Sequence, residues 1–299
     1  MFEYATRIVR SFSAGGVGVI DPQDIANELI AAEREHKPIG QFSDDYPDFD
    51  LETAYRAQRA FVQSKLDAGE RFVGYKLGLT SRNKQQAMGV DAPLYGRVTS
   101  GMICGYGEPV RLDRFIHPRV ESEIAFLLAR DIEPPATVIS VLAATEVVFG
   151  AVDVLDSRYE GFKFTLTDVV ADNASAGGFY LGPVTRRPGD LEDLGLIGCV
   201  VRVAGEVVMT AAGAAVMGHP AASVAWLANQ LAAEGEVLKA GQLVFSGGVT
   251  APVPAVARGS VTFQLVAWGR SKWPAPDVWE ERQSRYRLSF GTGGVIQAG

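Results

Sequence analysis

The chain has 299 residues, of which 47% are hydrophobic and 21% charged, a balance found in globular proteins and not in disordered or fibrous ones. With 35 acidic and 28 basic side chains its formal charge is −7, so no global positive field exists to hold a phosphate backbone, and nucleic acid is not an expected partner. The longest nearly apolar stretch, Val138 to Leu155, is interrupted by Thr145, Glu146 and Asp153 and is too polar for a bilayer core, so no membrane span is expected.

Arg7 and Arg10 precede Phe12 to Ile20, but that patch is Gly-rich, broken by Ser and lacks the compact apolar run of a signal peptide. A cytoplasmic protein is expected. A first helix begins with Asp21 as N-cap and Pro22 at the first helical position, and Ile25, Leu29 and Ala32 recur at helical spacing. Phe42 to Phe49 reads as a loop. A second helix follows Asp50, with Leu51, Tyr55, Phe61, Val62 and Leu66 on its apolar face, and stops at Gly69. Short strands come next, starting with Arg71 to Leu77, and Ser81 is placed to cap a brief helix toward Met88.

The remaining strand-like runs are Val120 to Leu128, Val147 to Leu155, Phe179 to Leu181, Cys199 to Val203, Gln242 to Phe245 and Val261 to Trp268. One helix interrupts them, from Pro220 to Gly235, with Val224, Leu227 and Leu231 inward. Helices in front, strands behind and no regular alternation predict an α+β protein with a β-rich core. The tail from Pro274 to Gly299 is Gly-rich and charged and reads as weakly ordered. Cys104 and Cys199, far apart and without C-x-x-C spacing, read as reduced packing residues.

Several chemistries have no motif here. The three histidines, His36, His117 and His219, form no H-E-x-x-H, no G-x-S-x-G elbow exists, and the glycine clusters match neither nucleotide-binding pattern. What does stand out is Glu121-Ser122-Glu123, because a strand sends residues i and i+2 to one face. Two carboxylates about 7 Å apart repel unless a cation lies between them, and a hard divalent ion such as Mg²⁺ or Mn²⁺ suits such oxygens. Asp153, an isolated carboxylate in an apolar run, is the candidate third ligand. A bare E-x-E is more often two solvated glutamates on an edge strand, with Asp153 then a helix cap.

Lys76, flanked by Gly74 and Gly78 at a strand end, can bind a carboxylate or move a proton, or simply snorkel to the surface. Arg158 and Lys163 can hold an anionic substrate or neutralise Asp156 and Glu160 in surface pairs. Ser246-Gly247-Gly248-Val249-Thr250 offers backbone N–H groups and two hydroxyls, either as a carboxylate cradle or as a plain turn.

Taken in order, Gly74-Tyr75-Lys76-Leu77-Gly78-Leu79-Thr80-Ser81, His117-Pro118-Arg119-Val120-Glu121-Ser122-Glu123-Ile124, Asp153 to Arg158, Val170-Ala171-Asp172-Asn173-Ala174-Ser175 and the late glycine turn resemble one family. It is the fumarylacetoacetate hydrolase superfamily, and within it the branch of metal-dependent hydratases and decarboxylases that degrade catechol ring-cleavage products. The resemblance covers roughly residues 41 to 271.

That resemblance implies a mixed β-roll core (residues 41–271) behind an N-terminal extension and helix (1–40), with the weakly ordered tail at 272–299. It carries the metal ligands onto Glu121, Glu123 and Asp153, the third being more often Glu in the family, and the active-site lysine onto Lys76, with Ser81 nearby to orient substrate or handle protons. Arg158-Tyr159, Phe162-Lys163-Phe164 and Gly247-Gly248-Val249-Thr250 incline it to the decarboxylases, with Arg158, Lys163, Gly247, Gly248 and Thr250 as substrate contacts. The implied reaction is Mg²⁺- or Mn²⁺-dependent decarboxylation of 2-oxo-3-hexenedioate in meta-cleavage catabolism, with hydration of 2-oxopent-4-enoate as the alternative. The implied partners are a small 2-oxo dicarboxylic acid, a second copy of the chain and the pathway hydratase. Two rivals differ in kind: a C–C hydrolase using Glu35 and His36 to activate water, and a non-catalytic scaffold for a partner enzyme.

Overall fold

A computed structural model of the chain describes residues 20–105, 109–255, 260–266, 286–291 and 295–298. Helix α1 (Pro22–Glu35) begins as its sequence dictates: the Asp21 carboxylate accepts the Gln23 N–H, and Pro22 fills the first turn. The loop expected at Phe42 holds a four-residue helix, α2 (Phe42–Asp45). Helix α3 (Leu51–Asp67) starts on the Asp50 cap and buries Ala54, Ala57, Phe61 and Val62 in an apolar cluster that it shares with α1. Strand β1 (Phe72–Gly78) then leads to α4 (Arg82–Met88), whose N–H at Lys84 is received by the Ser81 hydroxyl.

Strands β2 (Leu94–Thr99), β3 (Ile103–Cys104), β4 (Pro109–Val110) and β5 (Arg119–Leu128) follow. Next come α5 (Val138–Ala144), β6 (Thr145–Leu155), α6 (Leu166–Ala171), β7 (Ala176–Arg186), β8 (Gly198–Val203), β9 (Glu206–Ala212) and α7 (Pro220–Ala233). The chain ends with β10 (Leu243–Phe245), β11 (Val253–Pro254), β12 (Val261–Val266), β13 (Tyr286–Gly291) and β14 (Val295–Ala298).

Eight strands build one mixed sheet, ordered β2-β1-β10-β5-β6-β7-β3, with β11 also on β5. A second, six-stranded sheet is ordered β4-β13-β14-β12-β8-β9, its strands interleaved in sequence with those of the first. Both are packed round one apolar core in which Ile124, Phe126, Val152, Phe179, Val224, Leu227, Phe245 and Phe263 are buried. A second cluster, around Leu29, Phe42, Phe61, Tyr159 and Val170, fixes the three N-terminal helices onto the large sheet. The α+β class and β-rich core therefore stand as expected.

Three differences have physical causes. The apolar stretch Val138 to Leu155 splits into α5 and β6, because Thr137 and Ser140 form a reciprocal capping box that starts a helix inside it. Strands β2 and β9, and the two-residue strands β3, β4 and β11, carry too little alternation to be seen in sequence. In the tail expected to be weakly ordered, β13 and β14 pair with each other, with β12 and with β4. The rest of that tail and the first 19 residues lie outside the described residues. No helix among the described residues is long and apolar enough to cross a membrane.

Candidate active site and metal centre

Strands β5 and β6 run antiparallel in a register that sets Glu121 opposite Asp153 and Glu123 opposite Ala151. Directly opposed residues share a face, and so do residues i and i+2, so the three carboxylates converge. One oxygen from each lies within 4.8 Å of the others, the only such acidic, His or Cys grouping among the described residues. Glu121 is 4% exposed, and Glu123 and Asp153 are fully buried in the middle of the sheet. This rules out solvated glutamates on an edge strand.

The sheet brings the late glycine turn to the same place. Between β10 and β11 the ladder on β5 is interrupted, and residues 246–250 lie along it instead: Ser246 N–H donates to the Ile124 carbonyl and Val249 N–H to the Ser122 carbonyl. Gly247 N–H donates to Glu123 Oε2 at 2.9 Å. Gly247 has a φ of +100°, and a Cβ there would collide with the Thr80 side chain; one on Gly248 would collide with the Glu121 carboxylate. Only glycine leaves room for both approaches.

Two ammonium groups face the three acids. Lys76 Nζ lies 2.7 Å from Asp153 Oδ2 and donates to the Ala174 carbonyl at 2.8 Å. That carbonyl is aimed by a run of three left-handed residues, Asn173, Ala174 and Ser175, at φ of 52°, 56° and 53°. Such backbone persists only where its surroundings over-determine it. Here Asn173 bridges the Arg97 N–H and carbonyl, and Ser175 donates to Asp172. The second ammonium belongs to Lys84, 2.8 Å from Glu121 Oε2. Sequence reading missed Lys84; its one local signal is its place three residues after the Ser81 cap.

Burial, reinforced by Asp153 and Glu121, pushes the Glu123 carboxyl well above the usual range. Asp153 is raised by burial and Glu121 to about 6, against the pull of Lys76. Burial lowers Lys84, but Glu121 outweighs it and the net shift is upward. Glu123 Oε1 and Asp153 Oδ1 are buried with no hydrogen-bond partner, as are the Thr80, Ser246 and Thr250 hydroxyls. Three hard oxygen donors, two of them orphaned and all strained by mutual repulsion, fit a divalent cation of the Mg²⁺ or Mn²⁺ type.

Other expected site residues fall elsewhere. Ser81 is occupied as the α4 cap, its Oγ receiving the Lys84 N–H at 3.2 Å. Arg158 is not a substrate contact in this structure: it is 2% exposed, and its guanidinium is held by Glu33, Asp172 and the carbonyls of Asp156 and Ala176. A buried guanidinium needs several acceptors, and these fasten α1 to the large sheet. Lys163 is exposed, just after the left-handed pair Gly161 and Phe162. Glu35 and His36 end α1, where His36 borders a separate cavity with Arg111 and Asp113. They do not join the acidic trio.

A lysine-flanked acidic trio on adjacent antiparallel strands, closed by a glycine turn, agrees with comparison to known families: the fumarylacetoacetate (FAA) hydrolase C-terminal domain matches residues 71–268, and the chain belongs to that family. Among its relatives, 4-oxalocrotonate decarboxylase of Pseudomonas sp. (strain CF600) is 43% identical over 239 residues, 80% of this chain and 90% of that one. The 2-keto-4-pentenoate hydratase of Paraburkholderia xenovorans (strain LB400) is 38% identical over 240 residues, 80% and 88% of the two chains. In structure, 4-oxalocrotonate decarboxylase from Pseudomonas putida G7, complexed with magnesium and adipate, superposes with a TM-score of 0.79 at 38% identity, covering 82% of this chain and 93% of that one.

Proposed function

We propose that the chain is a lyase that decarboxylates 2-oxo-3-hexenedioate to 2-hydroxypenta-2,4-dienoate in meta-cleavage catabolism of aromatic compounds. The observation that carries this reading is the buried convergence of Glu121, Glu123 and Asp153 beside Lys76. The decarboxylase relatives support it, and so does the G7 enzyme's complex with adipate, a six-carbon dicarboxylate of the same length as the proposed substrate.

In this reaction the C–C bond to the distal carboxylate breaks. Its electron pair runs through the conjugated chain to the 2-oxygen, which takes up a proton as CO₂ departs. Glu121, Glu123 and Asp153 would hold Mg²⁺ or Mn²⁺, which polarises the 2-oxo group and so stabilises the charge developing there. Lys76, fixed between Asp153 and the Ala174 carbonyl, is placed to orient the 2-oxo acid and to handle its proton. The orphaned hydroxyls of Thr80 and Thr250 supply hydrogen-bonding groups for the substrate, with Gly247 and Gly248 keeping the turn close to the acids.

Purified protein with Mg²⁺ and 2-oxo-3-hexenedioate releases CO₂ on this reading. Consumption of 2-hydroxypenta-2,4-dienoate with no CO₂ from the diacid would select hydration instead, the reaction type named for the 38% identical hydratase. The same reading includes a homo-oligomer and association with the pathway hydratase, supported by the exposed Val207 and Val208 on edge strand β9. It also includes a cytoplasmic location, supported by the buried Cys199, which forms no disulfide.

A further inference from the structure

The two lysines at the acidic trio are not equivalent. Lys76 is enclosed, with 2% of its side chain exposed, and both its contacts, Asp153 on β6 and the Ala174 carbonyl in the turn before β7, are buried protein groups. Lys84 keeps 24% of its side chain exposed although its ammonium touches a carboxylate that is itself 6% exposed. It stands at the rim, between the buried acids and solvent, on a helix of only two turns bounded by the Ser81 cap and a left-handed Gly89.

Glu121 is the hydrogen-bond partner of Lys84 and at the same time one of the three carboxylates suited to a divalent ion. A divalent ion on Glu121 draws on the same carboxylate charge and so weakens its hold on Lys84. With all three carboxyls ionised, as a bound metal requires, they and the two ammonium groups sum to one negative charge, which a divalent ion turns into one positive charge that suits an anionic substrate. Lys84, its counter-ion now shared with the metal, is then a point charge on a flexible four-carbon stem at the mouth of the site.

We propose that Lys84 is the residue that selects dicarboxylic over monocarboxylic 2-oxo acids: its ammonium rests on Glu121 in the metal-free protein and passes to the substrate's distal carboxylate once the metal claims Glu121. The proposal rests on the metal and substrate reading above. It also predicts which kinetic constant responds. Decarboxylation removes the charge that Lys84 holds, so the contact is stronger in the ground state than in the transition state. Losing Lys84 therefore raises KM and does not lower kcat.

The test is calorimetric titration of wild type, K84M and K84R with Mn²⁺ alone, and then, in saturating Mn²⁺, with 2-oxohexanedioate and 2-oxohexanoate. K84M is expected to bind the diacid about 10- to 100-fold more weakly, the scale of one charge-assisted hydrogen bond, and the monoacid within about threefold of wild type. Mn²⁺ alone should bind K84M at least as tightly as wild type, and K84R should recover part of the diacid affinity. Turnover of 2-oxo-3-hexenedioate by K84M should show a raised KM with kcat unchanged or higher. K84Q, which keeps the stem and hydrogen-bonding capacity, replaces K84M should the latter fail to fold. Equal losses for both acids, no loss for either, or weakened Mn²⁺ binding by K84M would overturn the proposal. Wild type that binds neither Mn²⁺ nor the acids would bring down the metal reading with it. Wild type that binds both, with a non-selective K84M, removes only the role of Lys84.

Discussion

Gly248 lies against Glu121 so closely that a methyl group on its Cα would overlap the carboxylate. The turn between β10 and β11 thus meets β5 at a point where a backbone and a charged side chain share one space. Gly248→Ala must push Glu121 out of line with Glu123 and Asp153. The expected result is a loss of about 1–3 kcal/mol in stability from overpacking and a fall of at least about 100-fold in kcat/KM from misplacement. Urea unfolding and steady-state kinetics check the two parts separately.

Glu123→Gln keeps the side-chain volume and removes the charge. Burial already favours the neutral form of this carboxyl, so the metal-free variant should be as stable as wild type or slightly more so. Its rise in Tm on adding Mg²⁺ should vanish, together with activity. Unchanged kinetics would reject the ligand assignment.

Removing Lys76 has the opposite signature. Lys76→Met leaves Asp153 without its ammonium, which costs up to about 3–5 kcal/mol in the metal-free protein, less whatever Asp153 recovers by taking up a proton. Because the remaining charge is more negative, Mn²⁺ should raise the Tm of this variant by more than that of wild type. Turnover should nevertheless fall at least about 100-fold, as for loss of a proton-handling group. Differential scanning calorimetry with and without Mn²⁺ reads the first effect, and a CO₂-release assay the second.

Glu33 links α1 to α3 through Lys65 and to the segment after β6 through Arg158. Burial pushes its carboxyl up, but Arg158 and Lys65 outweigh burial and hold it down, from 4.5 to about 2. Between those values the unfolded chain binds more protons than the folded one. The stabilisation is therefore complete above about pH 4.5 and is lost as pH falls toward 2. With a third of the side chain exposed, solvent screening reduces the effect to roughly 1–2 kcal/mol. Unfolding curves at pH 6 and pH 3 should show it in wild type, whereas Glu33→Gln should be weaker at pH 6 and lack that part of the pH dependence.

The acidic trio was legible because strand periodicity and the cost of burying charge both act within a few residues. Glu121 and Glu123 share a face by alternation, and Asp153 interrupts an apolar run. Their convergence needed the β5–β6 register, which no local pattern specifies. Arg158 was misread because a cation beside Asp156 and Glu160 looks the same whether it serves a ligand or the fold. What decides it is Glu33, 125 residues away. Lys84 sits in a short polar helix, Arg82–Met88, with no apolar stripe to orient it, so nothing in sequence showed which way its ammonium turned. The helix α5 was hidden because an apolar stretch running on into β6 has no periodicity of its own to mark the junction.

The pairing of β14 with β12 gives the far end of the chain a protective duty. Without Val295–Ala298, the strand Val261–Val266 would present an uncovered hydrogen-bonding rim carrying Val261, Phe263 and Leu265 on one side. Bare rims of that kind recruit strands from neighbouring molecules. A chain shortened before residue 286 could keep every group of the acidic trio and still be lost to clumping.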